Sequence, residues 1–221
     1  MTLPPPLATG EEIHAHLTAQ LNLALRRPGM FGGEPALRQL LDLLLFTERR
    51  AGDLARQQRD WESCGLWSAV GVTGAIRNLL GVRDGEYGMA SVYAEFAQRR
   101  GWLTPDRLLT EEAYEGLSAS ARRWAEEDRT WPDVTAEFGD PSVLFGGSNP
   151  LYGKTLGYLS EDPARPMVSF HLWNGCESET ESWPPDHEQP LLLAVRFGDG
   201  PLPCSVTFTP EGERRRASRG R

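Results

Sequence analysis

At about residue 140 the spacing of apolar residues changes from every third or fourth position to every second. That switch restricts the chain to a helical part followed by a stranded part. Before it, Ile13, Leu17, Leu21 and Leu25 form the stripe of an amphipathic helix. Thr9-Gly-Glu-Glu12 has the spacing of a capping box at its start, and Pro28-Gly29 ends it. Leu37, Leu40, Leu41, Leu44, Leu54 and Trp61 predict a longer helix, kinked or broken at Gly52. A short helix over 73–80 follows, then stripes through Met89, Val92, Tyr93, Phe96 and Ala97 and through Tyr114, Leu117, Ala121 and Trp124.

Beyond the switch, Val168, Phe170 and Leu172 alternate with Ser169, His171 and Trp173. Leu191, Leu193, Val195 and Phe197 alternate with Leu192, Ala194 and Arg196, and Val206 and Phe208 alternate with Ser205 and Thr207. These patterns predict strands with one apolar face, and most of the turns between them are too short for crossover helices. Helices first and strands later predict an α+β fold, a helical N-terminal half (9–128) packed on a C-terminal antiparallel sheet (142–210). Residues 1–210 are expected to form one domain.

The net charge is -8. Residues 211–221 hold five Arg and two Glu, or +3, which leaves -11 on the first 210 residues. An acidic body repels phosphate, so no nucleic-acid partner is expected. The tail has almost nothing apolar to bury and is expected to be disordered. No apolar run approaches the ~18 residues of a membrane span, and no secretory signal is expected, since Met1-Thr-Leu-Pro-Pro-Pro has no basic region followed by an apolar one. Three scattered cysteines, Cys64, Cys176 and Cys204, predict reduced thiols and a cytoplasmic location.

The chain's single lysine, Lys154, lies in the stretch Phe145-Gly-Gly-Ser-Asn-Pro-Leu-Tyr-Gly-Lys-Thr155. A Walker loop needs glycine, four residues, then Gly-Lys-Ser/Thr; here Ser148 stands at the first glycine position, and the segment after Lys154 reads as a strand. A looser arrangement survives, in which Gly146, Gly147, Ser148, Asn149 and Lys154, with His171 nearby, line a pocket for a small anion. His14 and His16 are two apart and do not share a helix face, and no cysteine pair has ligand spacing, so no metal and no cofactor are expected. No catalytic residue is nominated; a Cys176–His171 pair lacks the motif that would support it. Tyr152, Trp173 and Trp183, beside Gly- and Pro-rich turns, are candidate interface residues.

Arg27-Pro-Gly-Met-Phe-Gly-Gly33, set between two helices, resembles a segment of gyrase-type ATPase domains over about forty residues. The glutamate, asparagine and Asp-x-Gly-x-Gly motif which that family uses for ATP are absent. The same turn also resembles one in immunity proteins of bacterial toxin systems. The whole chain resembles an uncharacterised bacterial family of GC-rich, actinobacterial type, chiefly in Phe145-Gly-Gly-Ser-Asn-Pro-Leu-Tyr-Gly-Lys154 and His171-Leu-Trp-Asn-Gly175. Two functions are carried forward. The first is a non-enzymatic binding protein, immunity-type or regulatory, whose partner is another protein. The second is an enzyme or sensor for a small anionic ligand at 146–158.

Overall fold

The computed structural model describes residues 7–176, 184–198 and 200–219. It is an α+β arrangement, with helices mostly in the N-terminal half and a five-stranded antiparallel sheet in the C-terminal half. Helix α1 (Gly10–Arg26) opens on the predicted capping box: Glu12 N donates to Thr9 Oγ1 at 3.2 Å, and Thr9 N donates to Glu12 Oε2 at 2.7 Å. A 3-10 turn (Pro28–Phe31) then leads into α2 (Gly33–Thr47). The break expected at Gly52 is present: this glycine has a φ of 99° and caps α3 (Asp53–Ser63).

Helices α4 (Gly71–Leu80) and α5 (Glu86–Arg99) follow. Every residue of α5 from Gly88 to Ala97 is buried, because α1, α2 and α4 cover one side of it and the sheet covers the other. Small residues make that double burial possible. A Cβ on Gly88 would lie 2.7 Å from Ile76 Cγ2 and 3.3 Å from His171 Nδ1.

Helices α6 (Glu111–Trp124) and α7 (Trp131–Phe138) precede the strands. The sheet is a meander of β1 (Val143–Phe145), β2 (Lys154–Tyr158), β3 (Val168–Trp173), β4 (Leu191–Phe197) and β5 (Val206–Phe208), in sequence order. Lys154 pairs with Leu172 and Thr155 with His171. Between β3 and β4 the register shifts: His171 faces Ala194 and Leu172 faces Leu192, so Leu193 is an extra, bulged residue.

Both faces of the sheet are covered, where the sequence predicts one apolar face. Leu156, Tyr158, Val168, Phe170, Leu192 and Val195 pack with α6 and α7 in a second core. Aromatic rings hold that layer together, with Phe138 5.2 Å from Phe170 and 5.1 Å from Trp124. The opposite face, which reads as polar, packs on α5. Ser169, His171 and Arg196 are at most 1% exposed there. Arg196 is matched by Glu95 of α5, with Nη2–Oε1 at 2.9 Å and Nη1–Oε2 at 3.1 Å.

The expectation of a disordered tail is corrected over its described part. After the short helix α8 (Leu202–Ser205), residues Pro210–Arg219 form α9, which packs on β4 and α4. Docking uses little apolar surface, which is why hydropathy does not reveal it. Glu211 is 2% exposed and ion-paired with Arg214 and Arg215. Gly212 lies against the Leu193 carbonyl with no room for a Cβ.

Candidate functional site

The segment after β1 begins with a residue that requires glycine. Gly146 has a φ of 111°, and a Cβ there would sit 3.2 Å from the Cβ of Lys154. Its N–H donates to the Arg26 carbonyl at 2.9 Å, which ties the loop to the end of α1. Gly147 is constrained differently: a side chain there would meet Arg27 Nη1 at 2.9 Å. Ser148 and Asn149 are exposed, and Asn149 Oδ1 accepts from Leu151 N at 2.9 Å in a tight side-chain turn.

Lys154 does not present its ammonium to an outside anion. It is 1% exposed. Nζ donates to the carbonyls of Gly147 and Asn149, both at 2.9 Å, and lies 3.6 Å from the centre of the Trp131 ring. Burial first, and the nearby Arg27 second, push its pKa down to about 8. The lysine therefore closes its own loop.

His171 is not part of that arrangement. Side chains alternate along a strand, so Lys154 shares the face of Leu156 and Tyr158 toward α7, while Thr155 and His171 point toward α5. His171 Nδ1 is 3.1 Å from Thr155 Oγ1, and the ring is 1% exposed. Burial first, and Arg196 second, push its pKa down to about 3, so the imidazole is neutral. The residues proposed for one pocket (Gly146, Gly147, Ser148, Asn149, Lys154 and His171) thus divide between two sides of the sheet, although Lys154 and His171 both border one small cavity. A Cys176–His171 pair does not form either, since Cys176 Sγ donates to the Pro184 carbonyl.

Of the candidate interface residues, Tyr152 is half exposed. Trp173 is half-buried, with the Arg215 guanidinium 3.3 Å over its ring and the edge of His187 5.8 Å away. Trp183 lies outside the described residues. Among the described residues no group of three or more His, Cys, Asp or Glu side chains is placed to hold a metal ion. No described helix is long and apolar enough to cross a membrane.

A larger concavity lies elsewhere, at the Arg27–Gly33 turn. A cleft of about 850 Å³ runs between this turn, α2 and the start of α4. Its lining includes Glu34, Arg38, Asp42, Trp67, Val70 and Glu86. Glu34 builds one wall. Its Oε1 accepts from Val72 N and Tyr93 Oη, and its Oε2 accepts from Thr73 N, all at 2.8 Å. The carboxylate of one helix thereby caps the N-terminus of another. Gly71, with a φ of 80°, lets it in, because any Cβ there would collide with the carboxylate. Burial first and the Glu34 charge second hold the Tyr93 hydroxyl far above the usual phenol range.

Glu86 lines the same cleft, and a Cβ on Gly29 would come within 2.7 Å of its Oε2. Burial, reinforced by Asp84, raises its pKa. Trp67 stacks on Trp61 at 6.3 Å and carries Arg38 5.1 Å over its ring. Val70 is 70% exposed at the rim, and Met30 of the turn is 80% exposed. Sequence reasoning identified the turn as a helix stop but missed the cleft. Its other wall comes from residues 67–73, which the sequence does not link to the turn.

Comparison of the chain with protein-family models, with curated proteins and with solved structures found no match.

Proposed function

We propose that this is a non-enzymatic binding protein that seats a cationic, partly apolar segment of a partner protein in the cleft at the Arg27–Gly33 turn. The carrying observation is the composition of that cleft. The carboxylates of Asp42 and Glu86 outnumber the single guanidinium of Arg38, the Glu34 carboxylate being committed to Val72, Thr73 and Tyr93, and an exposed Val70 and an indole lie among them. A lysine or arginine with an apolar neighbour complements such a surface in both charge and contact. The excess negative charge of the first 210 residues adds long-range attraction for a basic partner. An immunity-type role, in which a small acidic protein neutralises a basic toxin, is one form of this function, and the turn resembling immunity proteins lies at the cleft. The alternative of an anionic ligand at 146–158 receives less support, because the Lys154 ammonium is already committed to two carbonyls.

The test compares captured partners between variants. Val70→Arg places bulk and a repelling charge on the rim at an exposed position, where the cost to stability is within about 0.5 kcal/mol. Partner recovered from the native lysate by the wild-type chain is expected to be lost with Val70→Arg and with Glu86→Gln, and kept with Tyr152→Ala. A partner retained by both cleft variants would show that the cleft is not the binding surface.

A further inference from the structure

A second, smaller cavity of about 70 Å³ lies between α5 and the inner face of the sheet. Its lining includes Asp84, Tyr87, Thr155, His171 and Asn174, and also Lys154, whose ammonium is held by the Gly147 and Asn149 carbonyls. A water occupies about 30 Å³ in the liquid, so the space suits two or three waters or a molecule of about four non-hydrogen atoms. Two polar atoms of the lining side chains, His171 Nε2 and Asn174 Oδ1, are buried and have no hydrogen-bond partner among the described residues. An unpaired buried polar atom costs about 1–3 kcal/mol, so such a pair calls for an occupant.

The surrounding bonds define what that occupant offers. Asn174 Nδ2 donates to the carbonyls of Pro150 at 3.1 Å and His187 at 2.9 Å. Both amide protons are used, and Oδ1 is left as an acceptor facing a donor it does not have. The His171 ring shares its Nδ1 with Thr155 Oγ1. When the threonine hydroxyl donates to Nδ1, Nε2 carries the proton and becomes a donor. One donor and one acceptor in a small space match the C=O and N–H of a carboxamide. A charged molecule fits less well. An anion would meet the Asp84 carboxylate, and a cation would approach the Arg196 charge beside His171.

We propose that this cavity binds a small neutral molecule carrying a carboxamide or urea group, its carbonyl accepting from His171 Nε2 and its N–H donating to Asn174 Oδ1. This inference is independent of the cleft and of the partner assigned to it.

The experiment uses the full chain labelled with ¹⁵N at histidine and follows the imidazole nitrogens by NMR. Acetamide is the probe, with acetate as its charged counterpart of the same shape and ammonium as a cation control. A four-atom ligand is expected to bind with a dissociation constant in the millimolar range. Acetamide should shift the His171 Nε2 resonance saturably, while His14 and His16 stay in place. Acetate and ammonium should leave His171 unmoved. A His171 resonance unchanged at about 100 mM acetamide, some ten times the expected constant, would overturn the proposal. So would a drift shared by all the histidines, or an equal response to acetate. The readout is on the unmodified protein, so no variant has to fold for the answer to count.

Discussion

Lys154 stands out in the sequence by its rarity, and its position in the fold explains that residue without giving it a ligand. Its ammonium holds the loop carbonyls of Gly147 and Asn149 and rests on Trp131. Lys154→Ala is therefore expected to destabilise the protein by about 2–3 kcal/mol, since two carbonyls lose their donor and a cavity opens. Urea unfolding measures this; a change within about 0.5 kcal/mol would mean that the lysine is not buried as described. His171 gives a pH dependence. Its folded pKa, pushed down to about 3, lies below the 6.5 of an unfolded histidine. The unfolded chain therefore takes up a proton first as pH falls, and the stability present above pH 6.5 drains away toward pH 3 at up to about 1.4 kcal/mol per unit. Between pH 7 and pH 5 the loss from this group is roughly 2 kcal/mol. Urea titrations at both pH values should show a smaller loss in His171→Gln than in the wild type. Gly71→Ala is a third residue-level change. A methyl group there meets the Glu34 carboxylate and takes a positive φ, so a loss of roughly 2–4 kcal/mol is expected, with a melting temperature several degrees lower.

Among the elements, those governed by local chemistry were legible. The Thr9–Glu12 box, the break at Gly52 and the strands through Val168–Trp173 and Leu191–Phe197 each follow from residues close in sequence. What escaped sequence reasoning depends on contacts between distant residues. Ser169 and His171 read as a solvent face because nothing near them in sequence announces Gly88 or Glu95 across the layer. The candidate site divides for a related reason: residues 154 and 171 lie on paired strands, but one step of strand parity sends their side chains to opposite faces. Helix α9 is a third case. Its anchors are a buried carboxylate and a glycine against a carbonyl, which no apolar pattern reports. Removing residues 211–221 is therefore expected to lower the melting temperature by about 4 °C or more, read by circular dichroism. An unchanged transition would mean that α9 contributes nothing to the folded state.

At the level of the whole molecule, the sheet is a wall between two cores, and helices from the first part of the chain lie on both sides of it. Neither half can close its apolar surface without the other. The Arg196–Glu95 pair crosses from the sheet to α5 over 101 residues of sequence, with Arg196 fully buried and Glu95 4% exposed. Removing one partner of such a pair strands the other charge in an apolar interior, at about 3–5 kcal/mol. A nascent chain is in that condition from the synthesis of α5 until that of β4. Until the ribosome has released β4, Glu95 lacks the Arg196 guanidinium, and the α5 surface meant for the sheet stays wet. Native packing of α5 accordingly waits for Leu191–Phe197, and a chaperone that shields α5 would act in that interval.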